Sequence, residues 1–450
     1  MIPSPYNSLL RLADGTGVAY NHVSGRLLTV SDAAYDYLEG KPGAPPLVGE
    51  YRRLVAARLL VAHAADERRH VRARLAAARA DSSRVHYTLV TTYRCNLACS
   101  YCYQQETPAR LDMSKETAAL ACARMRREVE ATGAPRLSVS LYGGEPLLNL
   151  DTAVDALDEL GAWCRARGVE LGCSLISNGT LVDAAALERL AGRLHLAHLT
   201  LDGGPRRHDA VRRRADGSGT FAAVLEAARG LLERGIRVVL RVQITPDALG
   251  DFEECLTALD EAGLFGHPLL RLYCFPLLKM ACSSKVAACG RRYYDPPFLL
   301  RLWSLAKERG ANVFDRPAPV WEKPYCSFVN RHAWLIDPLG DVYKCVARVG
   351  DARWAVGNLE ARGTPHERRR ARQAEAFVLR SGAALDTCRG CECLPSCDGG
   401  CAYLAWLNTG REDAPSCDLR GRPVRQQLQF LAQTTLPGNH APCDSPAMPS

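Results

Sequence analysis

The chain has 450 residues, of which 57 are basic and 49 acidic, so its formal charge is +8. At about 150 residues per domain, this length predicts about three domains with sizeable cores. Hydrophobic residues make up 47% and charged residues 24% of the chain, which excludes a wholly disordered or fibrous protein. No apolar run approaches the roughly 18 residues of a membrane span, and the first residues lack a secretory signal. We therefore expect a cytoplasmic protein without a membrane partner.

The 19 cysteines are the most informative part of the composition. In a reducing compartment, such a number argues against a disulfide scaffold and for metal ligation. The basic excess is less informative, because the densest basic run, residues 366–372, contains no aromatic residue. We interpret this run as a solvated helix face, with an acidic peptide as a minor alternative partner, and expect no nucleic-acid partner.

The N-terminal region, residues 1–80, shows three short strand-like runs separated by turn signals and followed by helical patterns. The strands are predicted at 8–12, 17–21 and 26–30, and the helices at 33–39, 51–60 and 66–80. Ser31 and Asp32 provide the N-cap signal of the first helix.

Strands and helices alternate between residues 85 and about 310. The strands are predicted at 85–93, 136–142, 170–177, 196–202, 236–245 and 268–275. The helices are predicted near 114–132, 151–168, 182–192, 218–235, 249–263 and 297–310. This order indicates an α/β fold with a parallel sheet, either a barrel or an open doubly wound sheet. A partial (β/α)6 TIM-type barrel is favoured because a full barrel needs eight units, and in both architectures chemistry collects at the carboxyl ends of the strands.

A first cysteine motif follows the first predicted strand directly: Cys95, Cys99 and Cys102 stand at the spacing C-x3-C-x2-C. Three thiolates in one loop can hold a cubane iron–sulfur cluster and leave its fourth iron without a protein ligand, so that a substrate or cofactor can chelate there. The alternative is three buried or zinc-binding thiols. A structural zinc site needs a fourth ligand nearby, and this loop offers none.

The next three strand ends also carry polar or glycine-rich turns. Two glycines let the backbone approach a ligand closely, and a following carboxylate can accept hydrogen bonds from an ammonium group. Any one of these turns could be an ordinary strand-to-helix connection, but together they predict one site. Their candidate residues are Gly143, Gly144, Glu145, Ser177, Asn178, Thr200 and Arg212.

With these motifs, residues 85–310 resemble the radical S-adenosylmethionine (radical SAM) enzymes. The resemblance implies that Cys95, Cys99 and Cys102 hold a [4Fe–4S] cluster whose open iron is chelated by SAM. It places Tyr101 beside the adenine, the Gly143–Glu145 turn at the methionine amino group, and Ser177 and Asn178 at the ribose. Thr200 and Arg212 would face the sulfonium or carboxylate, where the pattern is looser and Gly204 is an extra glycine. The implied chemistry is reduction of SAM by an external flavodoxin- or ferredoxin-type donor, giving a 5′-deoxyadenosyl radical that abstracts hydrogen.

A second group of cysteines follows the barrel, and its first pair, Cys326 and Cys345, brackets a predicted hairpin with a turn at 337–340. Read in isolation, such pairs suggest structural zinc. After a radical SAM barrel, the spacing instead resembles the SPASM extension, which carries auxiliary [4Fe–4S] clusters. That resemblance implies one cluster held by Cys326, Cys345 and Cys401, and another held by Cys388, Cys391, Cys397 and Cys417.

The first auxiliary set departs from the family pattern, because no cysteine precedes Cys326 within the preceding ten residues. The missing ligand is either Cys282 or Cys289, or the cluster keeps an open iron that binds substrate. Cys393 is either a spare thiol or an alternative ligand, and Cys274, Cys282 and Cys289 are equally open between structural thiols and a hydrogen donor or extra ligand. We interpret Cys122, Cys164, Cys173, Cys255 and Cys443 as small buried or surface thiols.

The substrate class follows from the same resemblance, since SPASM enzymes mostly act on peptides or proteins. Their sulfatase-maturating branch uses an aspartate directly after the cysteine equivalent to Cys345; here that residue is Val346, which cannot accept a proton, although Asp351 could substitute. Residues 1–80 resemble the winged-helix module that recognises leader peptides, with a structural cap as the alternative. We predict a maturase that cross-links or epimerises a ribosomally made precursor peptide; the alternatives are an anaerobic sulfatase-type protein maturase and a non-catalytic zinc-binding interaction protein.

The predicted domain boundaries follow from these assignments. They are 1–80 for the winged-helix-like module and linker helix, 81–310 for the partial barrel, 311–433 for the SPASM domain and 434–450 for a flexible tail.

Overall fold

The computed structural model describes residues 1–43, 45–102, 111–244, 249–276, 296–311, 317–322, 325–360, 365–417 and 424–435. Cys282, Cys289, Cys443 and nearly all of the predicted tail therefore lie outside the described residues. No helix in the described ranges is both long and apolar enough to cross a membrane.

The N-terminal region contains the three predicted strands in an antiparallel sheet of order β2-β3-β4. Its strands are β1 (Ile2–Pro3), β2 (Asn7–Arg11), β3 (Gly17–Asn21), β4 (Arg26–Val30) and β5 (Leu60–Val61), and its helices are α1 (Asp32–Leu38), α2 (Val48–Ala56) and α3 (Ala64–Ala80). The N-cap prediction is confirmed, since the Ser31 side chain accepts a hydrogen bond from the Ala34 amide. Such a bond satisfies one of the amides that the first helical turn leaves unpaired.

The helix predicted over 51–60 differs from the structure. Helix α2 ends at Ala56, and Arg58 adopts a left-handed backbone conformation with φ of 61°. The chain then continues as β5, which pairs with β1. Leu59 and Leu60 are buried in this arrangement, so burial of the two leucines outweighs the helical pattern.

The barrel region confirms all six predicted strands to within two residues at each end. They are β6 (Val85–Thr92), β7 (Arg136–Gly143), β8 (Glu170–Ile176), β9 (Leu196–Leu201), β10 (Arg237–Ile244) and β11 (Leu270–Pro276). The helices are α4 (Lys115–Thr132), α5 (Leu150–Arg167), α6 (Ala184–Leu190), α7 (Pro205–Val211), α8 (Phe221–Glu233), α9 (Leu249–Glu261) and α10 (Pro296–Glu308). Helix α7 is an addition to the prediction.

The strand order decides between the two predicted architectures. Strands β6 to β11 are parallel and lie side by side in chain order. A doubly wound sheet reverses its strand order at a switch point, whereas strands β6 to β11 keep one direction throughout. The fold is therefore the partial barrel.

The two faces of the sheet have different chemistry, as β9 shows. Ala197, Leu199 and Leu201 are fully buried within the large core cluster that also contains residues of the helices. His198 and Thr200 alternate with them, are only partly buried, and point to the opposite face. The face opposite the helices is therefore polar and accessible along this strand.

The C-terminal region continues the barrel sheet. Its strands are β12 (Ala333–Ile336), β13 (Asp341–Tyr343) and β14 (Gly357–Asn358), and its helices are α11 (Pro365–Leu379), α12 (Asp386–Arg389), α13 (Leu394–Cys397), α14 (Ala402–Thr409) and α15 (Val424–Thr435). The predicted hairpin is confirmed as β12 and β13, and β12 pairs in parallel with β6. The C-terminal region is therefore hydrogen-bonded directly to the strand that precedes the first cysteine motif.

The basic run at 366–372 lies in α11, as predicted for a helix. The prediction of a solvated face is wrong for Arg370, whose guanidinium Nη1 lies 3.0 Å from Asp341 Oδ1 and is largely buried. This ion pair ties α11 to β13.

Candidate functional site

The loop that carries the first cysteine motif begins at the carboxyl end of β6. Cys99 is buried, and Cys95 and Cys102 are partly buried. The Leu97 amide donates a hydrogen bond to Cys95 Sγ at 3.4 Å, and the Ala98 amide donates to the Arg213 carbonyl at 2.9 Å. The loop is thus held against the segment that follows α7, and its three thiols lie at the edge of the sheet where the sequence predicts them.

The three thiols of this loop are a donor set suited to an iron–sulfur cluster. Burial raises the pKa of the Cys95 thiol to about 11. Burial also raises the pKa of Cys99, although the positive charge of Arg212 opposes that rise. Cysteines bind metals as thiolates, so a positively charged iron–sulfur centre would supply the stabilisation that buried thiolates lack. The residues present therefore fit the cluster that the motif implies.

A buried polar cluster lies next to the loop and joins three strand ends. The Tyr101 hydroxyl donates to Asp202 Oδ2 at 2.7 Å and accepts from Arg212 Nη1 at 2.6 Å. Gln243 Nε2 donates to the same hydroxyl at 3.3 Å. Asp202 Oδ1 and Arg212 Nε are buried without a hydrogen-bond partner among the described residues. Two unsatisfied buried polar atoms beside the thiols point to a polar ligand at this position.

The glycines at the end of β7 pack closely against the end of β6 and the start of the cysteine loop. The Gly144 amide donates to the Thr92 carbonyl at 3.0 Å, and the Glu145 amide donates to the Arg94 carbonyl at 2.8 Å. A side chain on Gly144 would collide with the backbone of Arg94. Gly144 therefore approaches the start of the cysteine loop closely, and its approach to a ligand stays a prediction.

Glu145 is fully buried and holds the end of β8. Its carboxylate accepts hydrogen bonds from the Leu147 amide at 3.2 Å, the Ser177 hydroxyl at 2.8 Å and the Asn178 amide at 2.8 Å. Burial raises the pKa of Glu145 to about 7, although these hydrogen bonds oppose the rise. A carboxylate has about four acceptor sites, so three protein donors leave about one for a ligand.

Asn178 connects β8 to the cysteine loop. Its side-chain amide donates to Asn96 Oδ1 at 2.9 Å and lies 3.8 Å from Cys95 Sγ. Asn96 in turn donates to Thr180 Oγ1 at 2.8 Å. The predicted residues Ser177 and Asn178 are therefore brought to the cysteine loop. The Ser177 hydroxyl donates to Glu145, and the Asn178 side chain contacts that loop.

The two remaining candidate residues, Thr200 and Arg212, lie in different places at the fourth strand end. Arg212 joins the polar cluster, whereas Thr200 lies on the polar face of β9 with Arg241 as its neighbour on β10. The sequence analysis assigned no role to Asp202 or to Gln243. Both lie at strand ends, so applying the strand-end rule to every polar residue there would have found them.

These features define a partial-barrel protein with a three-cysteine loop at the carboxyl edge of its parallel sheet. Residues 89–259 match the family model of the Radical SAM superfamily, whose members use a [4Fe–4S] cluster and SAM.

Two relatives match different shares of the chain. Fe-coproporphyrin III synthase of Methanosarcina barkeri is 30% identical over 171 residues, 38% of this chain and 39% of that protein. The chain thus spans only about two fifths of that relative. Mycofactocin maturase MftC of Mycobacterium ulcerans is 27% identical over 342 residues, 72% of this chain and 84% of that protein.

Matches that extend beyond the barrel include one further relative and one solved structure. The cysteine-type anaerobic sulfatase-maturating enzyme of Clostridium perfringens is 24% identical over 68% of this chain and 85% of that protein. The solved structure of anSMEcpe with bound AdoMet and a Cp18Cys peptide superposes with a TM-score of 0.57 at 19% identity, covering 78% of this chain and 96% of that one. At this identity, the superposition shows a shared fold.

The first auxiliary cysteine set, Cys326, Cys345 and Cys401, comes from three segments of the chain. Burial raises the pKa of Cys345, and the negative charges of Cys326 and Cys401 raise it further. Burial also raises the pKa of Cys401, and the negative charge of Cys326 adds to that rise. The three thiols are therefore neighbours.

The second auxiliary set is also brought together. Burial raises the pKa of Cys388, and the nearby thiols of Cys417 and Cys391 add to that rise. Cys393 interacts with Cys391 and with Cys397, and hydrogen bonding to Cys391 and burial raise its pKa. The structure thus places Cys393 beside the thiols of this set.

The remaining described cysteines lie in the core. Cys122, Cys164, Cys173, Cys255 and Cys274 are all buried members of the barrel's core cluster. Cys274, which the sequence left open as a hydrogen donor, interacts with Cys255 of α9, and burial raises its pKa well above the usual value. It therefore packs on the helix side of the sheet, away from the polar face.

Proposed function

We propose that the chain is a radical SAM/SPASM peptide maturase, which abstracts hydrogen from a ribosomally made precursor peptide and installs a cross-link or an epimerised residue. The observation that carries the proposal is the placement of Cys95, Cys99 and Cys102 in one loop at the carboxyl edge of the sheet, beside the unsatisfied atoms of Asp202 and Arg212. Support beyond the barrel comes from the match to most of a mycofactocin maturase.

The proposed cofactors would be held by this chain's own residues. When bound, the cluster and SAM supply one-electron reductive cleavage of a sulfonium and a radical able to abstract hydrogen. Cys95, Cys99 and Cys102 would each ligate one iron of the cluster. Arg212 would donate a hydrogen bond from its unsatisfied Nε to the carboxylate of SAM. Asp202 orients Arg212 and Tyr101 through its ion pair and hydrogen bond. Since all these groups are at least partly buried, they also exclude water from the reacting centre.

The proposed peptide would lie along the polar face of the barrel. Ser140 and Ser174 on this face hydrogen-bond each other at 2.8 Å across β7 and β8, and His198 continues the polar surface on β9. Hydroxyl and imidazole groups suit a polar peptide backbone better than an apolar cofactor. The auxiliary clusters would be held by the two cysteine sets, and an external flavodoxin- or ferredoxin-type protein would deliver electrons in the cytoplasm.

The N-terminal sheet would bind the leader segment of the precursor. In the order β2-β3-β4, β4 is a terminal strand. A terminal strand offers unpaired backbone groups to an added peptide strand. Residues 1–80 would then act as the recognition module that their pattern resembles.

A sulfatase-type protein maturase is the second candidate, favoured by the match to 85% of such an enzyme. The position of its expected base is occupied here by Val346, which is 40% exposed and cannot take a proton. Asp351 is a poor substitute. Burial alone would raise its pKa, but hydrogen bonds from Arg353 and the charges of Arg353 and Arg348 lower the pKa overall. A base with a lowered pKa accepts a proton less readily.

The test begins with anaerobic reconstitution of the chain with iron and sulfide, followed by dithionite and SAM. We expect release of 5′-deoxyadenosine, and its loss in the Cys95→Ala/Cys99→Ala/Cys102→Ala variant. Cys164→Ala is the matched control, because it removes a buried thiol far from the loop and should retain the activity. A genomically adjacent short peptide that changes mass on incubation supports the peptide maturase, and a sulfatase substrate that changes instead supports the second candidate. No cleavage of SAM by the reconstituted protein contradicts both.

A further inference from the structure

The N-terminal region docks on the segment that carries the second auxiliary cysteines. Ser8 Oγ donates to Glu392 Oε1 at 2.6 Å, and His22 Nδ1 lies 2.9 Å from Ser396 Oγ. Tyr20 donates to the Pro317 carbonyl at 2.7 Å. These contacts join residues more than 290 positions apart in the chain. The junction is therefore a specific interface within the molecule.

Three potential metal ligands meet at this junction. One ring nitrogen of His22, one carboxylate oxygen of Glu392 and Cys393 Sγ all lie within 4.8 Å of one another. His22 Nε2 and Cys393 Sγ are 3.9 Å apart. A tetrahedral zinc with ordinary Zn–N and Zn–S bond lengths holds its nitrogen and sulfur about 3.6 Å apart. The pair therefore needs to close by only a few tenths of an ångström to share one ion.

The imidazole of His22 is oriented as a metal ligand requires. If Nδ1 carries the proton, it donates to Ser396 Oγ and leaves the lone pair of Nε2 facing Cys393. Metal-bound histidines usually show this pattern, in which the second ring nitrogen donates to a polar group. The ring is fully buried, and Tyr20 packs edge-on against it at 4.9 Å between ring centres. Its position is thus fixed before any ion binds.

The neighbouring hydroxyl is the one group that competes for this position. Ser8 Oγ lies 2.9 Å from His22 Nε2 and donates a hydrogen bond to the Glu392 carboxylate. Without metal, Nε2–H can donate to this oxygen. With metal, Ser8 continues to hold the Glu392 carboxylate over the imidazole. The bound and unbound states therefore differ in the position of the ring proton of His22, which lies on Nδ1 with metal and on Nε2 without it, and Cys393 releases its thiol proton when it binds the metal.

The spacing of the auxiliary-cluster cysteines does not need Cys393 as a ligand. The run of Cys388, Cys391, Cys397 and Cys401 matches the SPASM order without it. We propose that His22, Glu392 and Cys393 bind one divalent cation of the zinc class and so pin the N-terminal module to the cysteine-rich region. A mixed nitrogen, oxygen and sulfur donor set suits Zn²⁺, with water in the fourth position. This site does not depend on the proposed function.

The test uses the full chain after anaerobic iron and sulfide reconstitution and removal of loose metal. Titration with Zn²⁺ against a competing chelator should give one tight site per chain. His22→Ala and Cys393→Ser should each weaken it more than tenfold without changing the iron content, and His63→Ala, an exposed histidine of the same region, should not. X-ray absorption at the zinc edge should show one sulfur ligand among nitrogen and oxygen ligands.

A further variant tests the site without changing a ligand, in case the ligand variants fail to fold. Ser396→Ala keeps all three ligands and removes only the group that orients His22, so zinc affinity should fall about tenfold or more. Absence of a tight zinc site in the parent, unchanged affinity in His22→Ala, or loss of about four irons in Cys393→Ser would overturn the proposal. The last result would assign Cys393 to an auxiliary cluster.

Discussion

Replacing Gly144 by alanine tests how the second strand end fixes the cysteine loop. A Cβ at this position would stand 2.5 Å from the Arg94 carbonyl carbon and 2.9 Å from the Tyr93 carbonyl oxygen. Non-bonded carbon atoms prefer about 3.5–4.0 Å. The end of β7 must therefore move away from the loop by about 1 Å.

The cost of this movement follows from the contacts that it breaks. The hydrogen bonds from the Gly144 and Glu145 amides to Thr92 and Arg94 would be lost or strained. Two such bonds contribute about 1 kcal/mol each, and overpacking a dense interior costs about 1–3 kcal/mol. We expect the free energy of unfolding to fall by about 3–5 kcal/mol. For a domain of this size, that fall corresponds to a decrease in Tm of about 10 °C.

The assay is anaerobic thermal unfolding, with iron content measured on the same samples. Gly250→Ala is the matched control, because nothing lies within 4 Å of a Cβ there and its φ is not positive. This control should change Tm by little, while Gly144→Ala should also lose iron from the displaced loop. A Gly144→Ala protein with the parent's Tm and full iron content would refute the reasoning.

Three further predictions concern buried polar groups. Asp202→Asn should weaken SAM binding about tenfold, as measured by equilibrium binding, because Arg212 loses its ion pair and Tyr101 its charged acceptor; unchanged affinity would remove Asp202 from the site. Asp398→Asn should lower the free energy of unfolding by about 3–5 kcal/mol, since Arg79, 2.6 Å away, would remain buried without its counter-charge; a stable variant in denaturant titration would argue against this. Burial, reinforced by a nearby arginine, lowers the pKa of His208 from 6.5 to about 3, so the unfolded chain binds the proton first and stability falls as the pH drops below 6.5. When the pH falls from 7 to 5, the free energy of unfolding of His208→Gln should therefore decrease by about 2 kcal/mol less than that of the parent. Denaturant titrations at the two pH values measure this difference, and equal decreases would contradict the assignment.

The strands of the barrel were predictable because each is an apolar run of strand length bounded by turn residues. The strand order was not, since nothing local in the sequence distinguishes sequential pairing from a doubly wound sheet. The helix predicted over 51–60 failed for a related reason. Its apolar spacing is helical, but pairing with β1 and the left-handed conformation of Arg58 impose a strand at its end.

The cysteine loop and its neighbouring strand ends were predictable from motif spacing. The contacts within the site were less so. The motif predicted an approach of Gly144 to a ligand, but it gave no sign that Gly144 also packs the end of β7 against the start of the cysteine loop. The meeting of His22 and Cys393 joins residues 371 positions apart, and no pattern in the sequence connects them. Long-range packing of this kind is visible only in the folded chain.

The central claim is that Cys95, Cys99 and Cys102 hold a cluster of their own, separate from those of the C-terminal cysteines. Iron and acid-labile sulfide counted in the anaerobically reconstituted parent and in the triple alanine variant test this claim most directly. Three clusters predict about twelve irons per chain in the parent and about eight in the variant, with sulfide falling in parallel. An unchanged iron count in the variant, or zinc in place of iron in the parent, would contradict the account.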